Sequence, residues 1–127
     1  MHREFSALSK RVIGCAIEVH KILGPGLLES TYRTCLSHEL GNQNISHRIE
    51  HPVAVKYKDV LLECGYRIDM LVEDCVVIEN KVVERILPIH AAQLLTYLKL
   101  SDNKLGFILN WHVRLMKNGI KRYVNAL

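Results

Sequence analysis

Asp69 and the run Glu79-Asn80-Lys81 are the residues whose types and spacing suit phosphoryl chemistry. Two carboxylates and a lysine on one face of a hairpin offer a few hard oxygen donors. That set suits Mg²⁺, which keeps several waters and shares them with a phosphate. Such an ion polarises a phosphoryl oxygen and activates a water near neutral pH. The lysine then stands where charge develops in the transition state, or where the attacking water is oriented. An aspartate followed by this short run recurs by chance in many chains. The strand setting is what singles this one out.

Side-chain parity supplies that setting. Tyr66–Val72 and Val76–Val82 are rich in β-branched and apolar residues, with Glu73-Asp74-Cys75 between them as a turn. Successive strand side chains point to opposite faces. The even positions Ile68, Met70, Val72, Val76, Ile78 and Val82 are apolar, and their face is expected to be buried. Arg67, Asp69, Glu79 and Lys81 occupy the odd face. Asp69 stands opposite Glu79 only if Val72 pairs with Val76 across a three-residue loop, with Asp74 accepting a left-handed conformation. A two-residue loop would send the two acids to opposite faces. The bland alternative is a solvated outer face carrying an ordinary ion pair. Asn80 falls on the apolar face, where an unpartnered amide costs about 1–3 kcal/mol. Either it finds a partner or the strand is less buried there.

The elements around this hairpin follow from periodicity. Leu8, Val12, Cys15, Ala16, Val19 and Leu23 recur at helical spacing and predict a helix over Ser6–Leu23. Gly24-Pro25-Gly26 stops it. A second helix is expected over Leu27–Leu40, with Leu28, Cys35, Leu36 and Leu40 available to the core. Strands are expected at His47–Tyr57, Val60–Val72 and Val76–Val83, with Lys58-Asp59 as the first turn. Pro88 suits the first position of a third helix, to Leu100. Leu105–Trp111 and Ile120–Asn125 read as final strands around Lys117-Asn118-Gly119. The order ααβββαββ is that of an α/β fold, a mixed sheet flanked by helices.

Composition is that of one domain over residues 1–127, with 49% hydrophobic and 24% charged residues. The net charge of +4 favours a polyanionic partner only mildly. Lys10, Arg11, Lys21, Arg114, Lys117, Lys121 and Arg122 are spread over the two ends of the sequence. That distribution suits a nucleic-acid groove and an ordinary solvated surface equally. Cys15, Cys35, Cys64 and Cys75 show no metal-type spacing. Glu18 and His20 interrupt the best N-terminal apolar span. A cytoplasmic chain with reduced thiols and no membrane partner is the expectation. His47 and His51 share a strand face without an evident third ligand.

Asp69, Glu79 and Lys81 resemble the signature of the PD-(D/E)XK nucleases. Gly26-Leu27-Leu28-Glu29-Ser30-Thr31-Tyr32 is similar to the pattern that names the GxxExxY protein family, a branch of that superfamily. His90–Lys99 and Gly119-Ile120-Lys121-Arg122 are also similar to that family. The resemblance implies a restriction-endonuclease-like fold and a metal-dependent nuclease site. It implies Asp69 and Glu79 as ligands of Mg²⁺ or Mn²⁺, with Glu29 approaching the metal from its helix. It does not imply a substrate. Glu29 has a plainer reading, because a carboxylate in a first helical turn stabilises the helix dipole. Tyr32 is then a packing or phosphate-contacting neighbour. Gln93 and Tyr97 resemble the Gln-x3-Tyr pair of RecB-like nucleases, which supports the site and contacts DNA. With His90 they fall on one polar stripe, opposite Leu94, Leu95 and Leu98, and the alternative is that this stripe is merely exposed. Some related nucleases hold an iron–sulfur cluster through cysteines near the C-terminal end, but here none follows Cys75.

The leading expectation is a Mg²⁺-dependent nuclease acting on nucleic acid, DNA first. Asp69, Glu79, Lys81, Glu29 and Gln93 would form its site, with Tyr32 and Tyr97 contacting substrate. The alternative is a silent or partner-dependent accessory module on the same fold. Sequence specificity would have to come from a homodimer or a partner protein.

Overall fold

A computed structural model describes residues 2–125. Helices α1 (His2–Leu23) and α2 (Glu29–Asn42) precede strands β1 (His47–Tyr57), β2 (Val60–Val72) and β3 (Val76–Lys81). Helix α3 (Pro88–Ser101) crosses to β4 (Leu105–Asn110), and a 3₁₀ turn at Met116–Asn118 leads into β5 (Ile120–Val124). The five strands lie in the order β1-β2-β3-β4-β5. Only β3 and β4 are parallel, as a helical crossover between neighbouring strands requires. This is the expected mixed sheet, in the expected ααβββαββ order. No described helix is long and apolar enough to cross a membrane.

The sheet is covered on both sides. Val12, Ala16 and Val19 of α1 and Tyr32, Leu36 and Leu40 of α2 pack on Met70, Val72, Ile78, Phe107 and Leu109. Leu94, Tyr97 and Leu98 of α3 pack on Leu71, Val77 and Ile108 from the other side. The expectation of a single buried even face is therefore corrected. The crossover helix closes the second face, and most of β4 and the first half of β3 read as apolar runs because both of their faces are interior. Ile68, an even position, packs with the α3 side instead of with Met70. That break in alternation falls beside Asp69 and next to Glu50, whose φ is +53°.

Other departures concern ends. Leu28 is not in the core: it caps α2 and is 74% exposed. Strand β3 stops at Lys81 instead of Val83, because the Asn110 side chain takes over the backbone of Val83. Its Nδ2 donates to Val83 O at 2.9 Å, and its Oδ1 accepts from Val83 N at 3.2 Å. Strand β4 correspondingly ends at Asn110, and Trp111 lies beyond it. The free end of the β1–β2 ribbon exposes Tyr57, Val60, Leu61 and Tyr66.

Gly119 shows how tightly the last hairpin closes. Asn110 N–H donates to Gly119 O at 2.8 Å, and a Cβ on Gly119 would lie 2.0 Å from Asn110 O. Gly119→Ala must displace backbone and is expected to destabilise the fold by about 2 kcal/mol or more, as strained and overpacked sites do. Gly41, inside α2, has open space where a Cβ would go. Gly41→Ala is expected to be neutral or to stabilise by about 0.5–1 kcal/mol through helix propensity. Urea denaturation of the two variants checks the contrast, and equal effects would refute it.

Candidate active site

Strands β2 and β3 pair as Val72–Val76, Leu71–Val77 and Met70–Ile78, the register that the Glu73-Asp74-Cys75 loop had to produce. Both Glu73 (φ +51°) and Asp74 (φ +55°) turn left-handed in that loop. Extending the register by one residue sets Asp69 opposite Glu79. There the backbone ladder gives way to side chains. Glu79 Oε2 accepts Asp69 N–H at 2.8 Å, and Asp69 Oδ2 accepts Asn80 N–H at 3.1 Å. Each carboxylate thus satisfies the backbone of the other strand. The two acids are held on one locus by the same bonds that terminate the ladder.

Asn80 resolves its own difficulty. Its Nδ2 donates to Asp69 Oδ2 at 2.6 Å and contacts Met70 Sδ at 3.3 Å. Its Oδ1 accepts the indole N–H of Trp111 at 2.9 Å. Trp111 is fully buried, and its backbone N–H also donates to Lys81 O at 2.9 Å. Its ring stacks on Tyr32, with centroids 4.8 Å apart and planes 5° from parallel. The polar residue on the apolar face is therefore a buried support for Asp69.

Sequence reasoning missed both Trp111 and Arg33. A lone tryptophan at a strand end, facing a buried amide in need of a donor, was the available signal for the first. Arg33 lies one helical turn after Glu29, so i,i+4 geometry puts it on the same face. Its Nη1 donates to Asp69 Oδ1 at 2.9 Å and lies 3.4 Å from Glu50 Oε1. The hydrogen bond and charge of Asp69 hold the guanidinium above its ordinary pKa.

The other acids feel one another. Glu79 is 8% exposed, and burial pushes its pKa from 4.5 to about 7. The bond from Asp69 N–H and the charge of Lys81 oppose that rise, while the charges of Asp69 and Glu29 add to it. Glu29 is also raised, first by desolvation and then by Asp69, against Lys81 and Arg33. Glu29 and Lys81 are thus within electrostatic reach of the Asp69–Glu79 pair.

Glu29 nevertheless stands outside any ligand cage. It is exposed in the first turn of α2, and no three His, Cys, Asp or Glu among the described residues gather closely enough to hold an ion. Tyr32 is corrected as a substrate contact. Its ring is fully buried, and its hydroxyl donates to Gly24 O at 2.5 Å and accepts from Leu27 N–H at 3.2 Å. Tyr97 is 6% exposed, and Gln93 Nε2 donates to its hydroxyl at 3.2 Å. Burial and then the charge of Glu79 raise the Tyr97 pKa, which puts its ring near that acid. Gln93 is exposed beside it. The expected polar stripe is redrawn: Tyr97 packs inward with Leu94 and Leu98, and Leu95 is exposed. His90 caps its own helix, with Nδ1 accepting Leu87 N–H at 3.0 Å. His47 is bound to Ser37 and to Ile45 O.

The donor chemistry fits a hard divalent ion. A carboxylate has about four acceptor sites. Asp69 uses three of them, on Arg33 and Asn80, and Glu79 uses one. Two carboxylates with vacant lone pairs match an ion that keeps most of its waters.

The profile of the PD-(D/E)XK nuclease superfamily matches residues 6–123, and the chain belongs to that superfamily. No curated protein and no solved structure matches it.

Trp111→Phe keeps an aromatic ring but leaves Asn80 Oδ1 without its donor, an expected loss of about 1–3 kcal/mol by urea denaturation. An unchanged midpoint would remove Trp111 from the support of Asp69. Glu79 yields a signed pH dependence. Between pH 4.5 and about 7 the folded chain keeps a proton that the unfolded chain has lost. Stability contributed by this group is present below that window and is lost as pH rises through it. Glu79→Gln should flatten that fall in thermal melts, and parallel wild-type and variant curves would refute it.

Proposed function

We propose that this protein is a metal-dependent nuclease hydrolysing phosphodiester bonds of nucleic acid, with DNA as the first substrate to test. The observation that carries the reading is the crossed Asp69–Glu79 pairing, which gathers two carboxylates with free lone pairs beside Lys81. Asp69 and Glu79 would hold Mg²⁺ or Mn²⁺. When bound, the ion supplies Lewis acidity at the phosphoryl oxygen. Lys81, two residues beyond Glu79 on the same strand, is placed to orient the attacking water or to donate to the oxygen on which charge develops. Glu29 contributes negative field at the mouth of the site. Gln93, exposed and able to donate and accept, is the group on α3 best placed to meet a phosphate oxygen or a water. Tyr97 positions Gln93 through their hydrogen bond. The Gly26–Tyr32 run supports placement in the GxxExxY branch, and a cytoplasmic location goes with this reading.

A second reading rests on Arg33. An internal cation already on Asp69 Oδ1 does part of what a bound ion would do, as a silent or partner-dependent accessory module requires.

Incubation with single-stranded, duplex and branched DNA and with RNA, each with Mg²⁺, Mn²⁺ or EDTA, separates the two. The expected result is metal-dependent cleavage of at least one substrate. Lys81→Ala should lower the rate on the order of 10²-fold or more while substrate binding is retained. Mg²⁺ or Mn²⁺ should raise the melting temperature, and Asp69→Asn should abolish that shift. Binding without cleavage under every condition would favour the accessory module. Cleavage that survives both substitutions would overturn the site.

A further inference from the structure

Lys21 is far in sequence from Arg114 and Lys117, yet the three line one cavity of about 450 Å³ at the end of α1. No carboxylate lines it, and among the described residues none of the three cations is ion-paired. Lys21 alone has a plain reading, since a cation in the last turn of a helix complements its dipole. Arg114 has no such reading, and Lys117 stands only in a three-residue 3₁₀ turn. Gathering like charges with no counter-charge works against folding, and a cleft lined by one sign of charge concentrates ligands of the other.

The arrangement is also held in place. The segment after Trp111 is fastened to α1 by His20, whose Nε2 donates to Val113 O at 2.8 Å across 93 residues of sequence. Met116 is buried in the core, and Gly119 N–H donates to Met116 O at 2.8 Å. The cations therefore project from a clamped turn and a helix end. Gly24 forms part of the cavity wall. Glu29, beside the candidate active site, is five residues further on, so Gly24 and Glu29 lie within about 17 Å of each other even with the chain fully extended. One strand of a duplex advances about 3.4 Å per phosphate, so this separation is at most about five nucleotides.

We propose that this cavity is a phosphate-binding site that holds the nucleic-acid strand a few nucleotides from the scissile bond. It rests on the nuclease reading for its substrate class. Three cations dispersed over one cavity suit successive phosphates of a chain better than a single small anion.

The test is the salt dependence of binding, measured by fluorescence anisotropy with labelled single-stranded and duplex DNA in EDTA. Each phosphate contact contributes about 0.7–0.9 to the slope of log affinity against log salt. Lys21→Ala/Arg114→Ala/Lys117→Ala is expected to lower that slope by about 2 and to weaken low-salt binding on the order of 10-fold or more. In cleavage assays it should raise KM and leave kcat in place. The single variant Lys117→Glu serves should the triple variant fold poorly. Lys56→Ala/Lys58→Ala/Lys99→Ala removes the same charge from the ribbon and α3, and should change the slope much less. Equal slopes for both triple variants, or a slope like wild type for the cavity variant, would overturn the proposal while metal-dependent cleavage left the nuclease reading standing. A reduced slope without cleavage by the wild-type protein would keep the phosphate site and reject the nuclease reading. A melting temperature raised by inorganic phosphate in the wild type but not in the cavity variant, with equal DNA slopes for the two, would assign the cavity to a free anion and overturn the proposal.

Discussion

Two strands that part company at a pair of acids set the terms for the rest of this molecule. Beyond Met70 and Ile78 the β2–β3 ladder no longer satisfies its own backbone, and the Asp69 and Glu79 carboxylates accept the orphaned N–H groups. Charge-assisted bonds of this kind are stronger than neutral ones. They also bring two negative groups into partial burial, where charge is costly without compensation. Arg33 compensates Asp69 directly, whereas among the described residues Glu79 has no ion pair, and burial raises its pKa to about 7. The asymmetry separates the roles of the two acids. One lies against an internal cation, and the other is held by burial and by the backbone of the facing strand.

The layers behind the site follow from the need to keep that arrangement still. Asn80 carries a polar group into the α1–α2 layer and has two partners there, Asp69 on one side and the Trp111 indole on the other. A fully satisfied buried network of this kind specifies one geometry, while a half-satisfied one costs stability. Tyr32 stacks on Trp111 and ties its hydroxyl to Gly24. The Gly24–Leu28 turn, the start of α2 and the end of β4 are thereby coupled to one ring pair. Glu29 and Arg33 are placed by that coupling. The cavity of Lys21, Arg114 and Lys117 adjoins the same turn, so the acids and the cations share one framework.

Much of the framework was legible from the residues. Strand β1 and strand β2 have the boundaries that alternation and the Lys58-Asp59 turn imply. The three-residue loop at Glu73-Asp74-Cys75 has the register that puts Asp69 opposite Glu79. Errors fell where a side chain substitutes for backbone. Asn110 ends β3 two residues early by bonding Val83, and no periodicity reports such a bond. Tyr97 reads as a polar member of its helix face and Tyr32 as a packing or phosphate-contacting neighbour, but each hydroxyl is satisfied locally while the ring fills the core. A tyrosine reads as polar or apolar only once its neighbours are known.

The sequence by itself determined the local choices: helix, strand, turn type and the face on which each acid falls. Those depend on residues a few positions apart, through steric preference and a period of two or 3.6. Tertiary structure decided which distant groups meet. Arg33 reaches Asp69 across 36 residues, Trp111 reaches Asn80 across 31, and His20 holds Val113 across 93. Such contacts are set by how two helices and a crossover seat on a twisted sheet, which no local pattern encodes. The pKa of Glu79 belongs to the same class, because burial is what raises it. The acids announced themselves in the chain; their charge state was decided by what came to lie against them.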